Sequence, residues 1–342
     1  MSLQRLYDLD RTFPDRLDKL LHDKEYIDEL RGLPERELRQ LVDHLNEVLV
    51  RLDRGGPGSS RKCLRVLRKI CGFRKVLPTA YELPRDLLSL SQSPNANGGY
   101  CDAYEGTISV KVCIKRLRIS VTGDQEKVKE LFCKEAVVWK HLNHSNIVPF
   151  KGVTLDPLQL VSEWMPGGEL RHYVRENPQA NLINLSLGVA QGLAYLHSSG
   201  VIHGDLKGPN IMVDESGNAR ITDFGLAKIA RGSNSLTGTS EDQNHTIRWT
   251  APEILRSGQA VSKESDVFSF GMVMTEIFTG EVPFKTLKAL EIVMRITHGE
   301  RPGRPSHPKF TENLWELTQR CWTEAPQDRP KMEEVLKELS AF

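Results

Sequence analysis

No run of about 18 consecutive apolar residues occurs anywhere in the 342-residue chain, so a membrane-spanning helix is not expected. The N-terminal stretch MSLQRLYDLDRTFPDRLDKLL is laced with charge and lacks the apolar centre of a secretory signal, so secretion is not expected either. Net charge is also missing: 46 Lys and Arg against 45 Asp and Glu leave +1. No global field therefore recruits nucleic acid or an anionic membrane, and no basic partner is implied. The six cysteines (63, 71, 101, 113, 133 and 321) contain no CxxC pair, which fits reduced, packing thiols in the cytosol or nucleus better than a disulfide framework or a zinc site. Internal repeats are absent.

What the chain does have begins with helical periodicity. In LPERELRQLVDHLNEVLVRLD, residues Leu38, Leu41, Val42, Leu45, Val48, Leu49 and Leu52 fall on one stripe, with Pro34 suited to a first helical turn. The stripe stops at RGGPGSSR (54 to 61), a Gly, Pro and Ser cluster that reads as a flexible connection. A second helix, RKCLRVLRKIC, is expected after it. Between Arg61 and Lys75 lie seven basic residues and no acid, a pattern of a solvated helix face or of contact with an anionic surface. Residues 77 to 97 carry three prolines and read as an extended tether.

The texture changes near Gly98. TISVKVCIKRLRI alternates as a strand does, with Val110, Val112 and Ile114 on one face and Lys111, Cys113 and Lys115 on the other, so Lys115 can face a cleft. EKVKELFCKEAVVWKHL spaces Val128, Leu131, Phe132, Val138, Trp139 and Leu142 helically, with Glu135 close to the buried side. From about residue 181 the chain reads as mainly helical.

The chemistry concentrates in HGDLKGPN (203 to 210). Phosphoryl transfer asks for metal ions on the phosphates, a group that orients the attacking hydroxyl, and cations that offset charge. Asp205 can accept or orient the hydroxyl proton, Lys207 can approach the γ-phosphate, and Asn210 offers an amide oxygen to a metal. Asp223 of DFGLA is a carboxylate ligand for Mg²⁺. The intervening IMVDESGNARIT reads as a hairpin turning at Glu215 to Asn218, which brings Asn210 and Asp223 to one site.

With VCIK (112 to 115), FCKEA, HGDLKGPN, DFG (223 to 225), APE (251 to 253), DVFSFG (266 to 271) and CWTEAPQDRP (321 to 330) in this order, residues 98 to 342 resemble a eukaryotic protein kinase catalytic domain. RWTAPE and the CW…DRP pattern are most similar to the tyrosine-kinase-like group, and HGDLKGPNIMVDESGNARITDFGLA resembles the expanded serine/threonine members of that group in mushroom-forming fungi. The resemblance implies an α+β, bilobal fold, with a β-rich N-lobe (about 91 to 162), a hinge (163 to 168) and a helical C-lobe (169 to 342), preceded by a helical region (1 to 90). It implies ATP and Mg²⁺ as cofactors and a protein as substrate. By it Lys115 binds the α/β-phosphates and pairs with Glu135, Glu163 and Met165 offer backbone hydrogen bonds to adenine, and Ser162 is the gatekeeper. Glu253 pairs with Arg329 and Asp266 holds the catalytic loop, both structurally. His203 orients that loop and packs near Phe224, and Lys207 with Thr250 favours Ser/Thr acceptors.

The family pattern is broken twice. In NGGYCDAYEG, Gly98 and Gly99 are the glycines available for a phosphate loop, but Cys101 and Ala103 stand where the third Gly and the Val belong, so weakened or altered ATP affinity is expected. Gly204 replaces the Arg that many kinases use to hold a phosphorylated activation loop, so independence from that device is expected. His-Gly-Asp also occurs in antibiotic and choline kinases, but Lys207, APE, DVFSFG and the 25 residues between DFG and APE suit a peptide platform. Beside the active enzyme stands a scaffold reading, a pseudokinase that binds nucleotide with little transfer. The N-terminal helices either dock on the N-lobe or bind a separate partner.

Overall fold

The computed structural model describes residues 28, 30–52, 57–84, 88–91, 93–94, 96–97, 101–118, 125–224 and 246–342. Helix α1 (Glu35–Leu52) carries the leucine stripe, and Leu38, Leu41, Val42, Leu45 and Leu49 are all buried. Acidic Glu35 and Glu37 open it and Arg51 lies in its last turn, in keeping with the helix dipole. Helix α2 (Pro57–Arg74) starts earlier than expected: the connection read at 54 to 61 is helical from Pro57 onward, because proline's fixed φ suits a first helical position.

The tether expected at 77 to 97 is a second correction. Leu77 and Tyr81 are fully buried, Glu82 bridges Val153, and Leu83 N–H donates to the Val153 carbonyl at 2.8 Å. Strands β1 (Ser89–Leu90) and β2 (Ala96–Asn97) then join the edge of a sheet, where prolines are tolerated because the outward side of an edge needs no donor. The boundary expected at residue 90 thus falls between two strands of one sheet.

That sheet continues through β3 (Cys101–Thr107), β4 (Lys111–Leu117), β5 (Phe150–Leu155) and β6 (Leu158–Glu163), in the order β1-β3-β4-β6-β5 with β2 also beside β3, all antiparallel. Val112 and Ile114 are buried on one face with Val161, but Val110 is exposed because β4 begins after it. Helix α3 (Gln125–Lys140) lies between β5 and β6 on one side and α2 on the other. Its burial is therefore wider than one stripe and takes in Cys133, Glu135, Ala136 and Val137.

Beyond 164–167 the chain is mostly helical. Short strands β7 (Gly168–Glu169), β8 (Ile211–Val213) and β9 (Ala219–Ile221) form a second sheet against α4 (Leu170–Glu176) and α5 (Leu182–Ser198), and α6 (Pro252–Ser257) and α7 (Lys263–Thr279) follow. Helices α8 (Ala289–Thr297), α9 (Glu312–Cys321) and α10 (Met332–Leu339) complete the lobe. Nearly all of α7 is buried, and a reciprocal Ser262–Ser265 capping box fixes its start. One hydrophobic core runs from Leu30 through α1, α2 and α3 into this lobe as far as Leu339. All six cysteines are free thiols, and burial pushes Cys101, Cys133 and Cys321 up to about 12, as packing thiols require. Among the described residues, no helix is long and apolar enough to cross a membrane.

Candidate active site

The site is built on the β8–β9 hairpin, which turns where the sequence indicated: Asp214 N–H donates to the Asn218 carbonyl (3.0 Å), and the Asp214 carboxylate is held by the Ser216 and Asn218 N–H groups. Thr222 N–H then donates to the Asn210 carbonyl at 2.9 Å. This ladder sets Asp223, one residue on, beside the catalytic-loop segment.

Asp205 is held from two directions. Asn210 Nδ2 donates to its Oδ2 (3.0 Å) and to its backbone carbonyl (2.7 Å), while Lys207 Nζ lies 2.9 Å from Oδ2. Its Oδ1 is buried without a hydrogen-bond partner among the described residues. A buried acceptor left open costs stability of about 1–3 kcal/mol, and such groups persist where function needs them. The carboxylate is thus fixed through one oxygen, while the other makes no hydrogen bond among the described residues.

The loop around it is oriented by buried groups. His203 Nδ1 accepts from Asp205 N–H (3.1 Å) and Nε2 pairs with the Thr222 carbonyl (3.0 Å), which fits a neutral ring protonated on Nε2. Burial lowers the His203 pKa despite nearby Asp266 and Asp205. The ring meets Phe224 edge-on, with centroids 6.3 Å apart. Asp266 of α7 accepts from His203 N–H and Gly204 N–H, both at 2.8 Å, and pairs with His197 Nε2 at 2.9 Å. Gly204 has φ +77, a conformation that costs glycine little and an L side chain more. A Cβ there would also lie 3.1 Å from Val261 Cγ2.

Lys115 pairs with Asp223 and not with Glu135, both Asp223 oxygens lying 2.6 Å from Nζ. Both side chains are mostly buried, and among groups so placed the nearest opposite charge becomes the partner. Burial opposes the charge on Lys115, yet Asp223 raises its pKa above the ordinary lysine value. Asp223 itself has φ +62, an uncommon backbone state for a non-glycine residue and one that clusters at functional sites. Glu135 is buried on α3 at 6 % exposure.

At the other end of the cleft, Glu163 N–H donates to the Pro149 carbonyl (2.9 Å) and the Met165 carbonyl accepts from Gly168 N–H (3.0 Å). For a purine edge this leaves Glu163 its carbonyl and Met165 its N–H. Ser162 is buried at 3 % exposure, opposite Cys113 in the sheet. Gly98 and Gly99 lie outside the described residues, as do the loop hydroxyls from Ser233 to Ser240.

Two contacts around the loop were not expected from the sequence. Lys207 Nζ donates to Thr246 Oγ1 (2.8 Å), so the hydroxyl beside the catalytic loop is that of Thr246, while Thr250 Oγ1 turns back to the Thr246 carbonyl (3.1 Å). Both threonines stood in view, and only folding distinguishes them. Glu276 lies fully buried beneath the loop, its Oε2 accepting from Gly208 N–H (2.9 Å) and Trp249 Nε1 (3.0 Å). Arg171 Nε is 3.1 Å from Oε1 without the alignment of a hydrogen bond. An acid in the apolar run FGMVMTEIF was the available signal.

Burial pushes Glu276 up to about 8 from 4.5, against the pull of Arg171 and the Gly208 N–H. A carboxyl whose folded pKa is raised contributes stability below its unfolded pKa and loses it as pH rises through the folded one. Wild-type stability should therefore fall between about pH 5 and pH 8 by a few kcal/mol relative to Glu276→Gln. Urea midpoints of both proteins across that range test this; parallel curves would refute it.

Comparison with known proteins places this geometry in a family. Residues 95–339 match the family described as protein tyrosine and serine/threonine kinase. The serine/threonine-protein kinase STY46 of Arabidopsis thaliana is 33% identical over 255 residues, 71% of this chain and 42% of the relative. STY17 of the same plant is 30% identical over 328 residues, 90% of this chain and 55% of the relative. The tyrosine-protein kinase Src64B of Drosophila melanogaster is 30% identical over 284 residues, 80% and 50% respectively. The chain belongs to the eukaryotic protein kinase superfamily, and its likeness to the STY kinases accords with the tyrosine-kinase-like group. It spans about half the length of these relatives.

Proposed function

We propose that this chain is a serine/threonine protein kinase that transfers the γ-phosphoryl group of ATP to hydroxyls of a protein substrate, and that the Asp205 carboxylate carries the reaction. The supporting observation is the asymmetry of that carboxylate: Oδ2 is held by Asn210 and Lys207, and Oδ1 has no hydrogen-bond partner among the described residues. An incoming hydroxyl hydrogen-bonds to Oδ1, which aligns its oxygen for attack and takes the proton as the bond to the γ-phosphorus forms and the bond from that phosphorus to the bridging oxygen breaks, releasing ADP. Lys207 offsets the charge that grows on the transferred group.

The donor set suits Mg²⁺, which is commonly bound by one or two protein oxygens together with substrate phosphates. The Asn210 amide nitrogen is committed to Asp205, leaving its oxygen for the metal, and Asp223 supplies a carboxylate. Mg²⁺ held there would neutralise phosphate charge. Lys115 would move from Asp223 to the α/β-phosphates, with Glu135 as its counter-charge, and Glu163 and Met165 would take the adenine edge. The Ser/Thr preference rests on Lys207, which ties Thr246 to Asp205, so that a short acceptor side chain fits beneath the segment before APE.

The test is transfer from radiolabelled ATP with Mg²⁺ to a mixed protein substrate, followed by identification of the labelled residue type. Label on Ser or Thr is expected. Label on Tyr alone would overturn the acceptor class, and nucleotide binding without transfer would favour the scaffold reading.

A further inference from the structure

Helix α3 carries Glu135, and it is packed on two sides. One face meets β5 and β6, and another meets α2, whose Val66, Leu67, Ile70 and Cys71 are buried. At Gly72, which is buried, the α2 seam leaves no room for a side chain: a Cβ built there would lie 2.5 Å from both Cγ and Cε of Lys134. Lys134 is the residue directly before Glu135. Both ends of the seam are also fastened. Lys75, just after α2, pairs with Glu126 in the first turn of α3. The fully buried Tyr81 hydroxyl bonds to Asn46 Oδ1 on α1 and to His141 Nε2 just past the end of α3, each at 2.8 Å. Arg74 adds bonds to the Leu30, Arg31 and Leu33 carbonyls, tying α2 to the segment at 30–33 before α1.

From this arrangement we propose that Gly72 is a positioning residue: its lack of a side chain lets α2 seat against α3 beside Lys134, and the α1–α2 hairpin thereby fixes the setting of α3 and so places Glu135 for Lys115. The inference rests on the kinase reading of Lys115 and Glu135 given above. A packed interface transmits displacement because it has no free volume to absorb it. A side chain at 72 must either push α3 along or force the Lys134 stem out of the seam. The N-terminal helices are then part of the nucleotide site's support.

The experiment uses the full chain with Gly72→Val, Lys134→Ala and the double variant. Melting temperature, KM for ATP and kcat are read for each. Gly72→Val should raise KM for ATP about tenfold, the scale of ordinary coupling between sites, while its melting temperature stays within a few degrees of wild type. Lys134→Ala alone should leave KM near wild type. The double variant should recover most of the loss, because removing the stem makes room for the new side chain.

An unchanged KM in Gly72→Val, or a loss that Lys134→Ala does not relieve in a folded double variant, would overturn the proposal. If Gly72→Val fails to fold, Tyr81→Phe, which cuts the fastening at the far end of α3, must raise KM for ATP; an unchanged value overturns the proposal equally. Failure of the kinase reading shows separately, as absence of transfer by the wild type. The seam is then read by titrating a fluorescent ADP analogue with Mg²⁺ into the same variants, where equal affinities would refute it.

Discussion

Asp205→Asn is expected to lower the rate of phosphoryl transfer by about 10²–10⁴-fold, the usual contribution of a positioned general base. The amide has the size of the carboxylate, so the contact with Lys207 can persist through its oxygen, and the loop keeps its supports from Asp266 and His203. What it loses is the ability to take a proton, together with the negative charge that aligns a hydroxyl at Oδ1. Melting temperature should therefore move by no more than a few degrees, and Mg·ATP affinity should change little, because Asp205 is not among the proposed nucleotide or metal ligands. Single-turnover transfer, thermal unfolding and nucleotide titration on the same preparation separate these quantities. A variant with wild-type turnover would remove Asp205 from the reaction.

The second large effect concerns stability. Arg329→Ala should cost about 3–5 kcal/mol, the range for breaking a buried ion pair by removing one partner. Arg329 has no exposed side-chain area, and its two terminal nitrogens each lie 2.8 Å from one oxygen of Glu253. The same guanidinium donates to the carbonyls of Glu264 (3.0 Å), Thr323 (2.8 Å) and Glu324 (3.2 Å) and lies 5.1 Å from the Phe268 ring centroid. Alanine would leave the Glu253 carboxylate and three carbonyls without these donors. Lysine would recover only part of the loss, since one ammonium cannot reproduce a planar fork of five N–H groups. Denaturant midpoints measure this, and transfer rates normalised to folded protein should stay near wild type. A cost below about 1 kcal/mol would show that the pair behaves as an exposed one.

The two effects differ because Asp205 leaves one oxygen open whereas Arg329 is saturated by partners. A residue built for chemistry carries unused hydrogen-bonding capacity in its folded state, while one built for stability uses nearly all of it. The same contrast separates His203, whose two ring nitrogens are both engaged, from an acid–base histidine.

By itself the sequence determined the order of the chemical groups along the chain, the leucine stripe of α1, the alternation that puts Lys115 in a strand and the hairpin joining Asn210 to Asp223. Each is a local property: side-chain periodicity and turn chemistry are set by residues within a few positions of one another. Tertiary structure alone decided the rest. Lys115 takes Asp223, 108 residues away, as its partner, since a mostly buried charge pairs with whatever opposite charge the fold brings beside it. Thr246, rather than Thr250, meets Lys207, because the direction of each side chain depends on the turn at 247–249. Within the proline-bearing stretch 77 to 97, Glu82, Ser89–Leu90 and Ala96–Asn97 are paired with the sheet, which composition does not reveal. Cys133 of α3 is buried as well as the expected stripe because a second helix, α2, packs against α3, and the periodicity of one helix reports the face it hides without saying how many neighbours cover it.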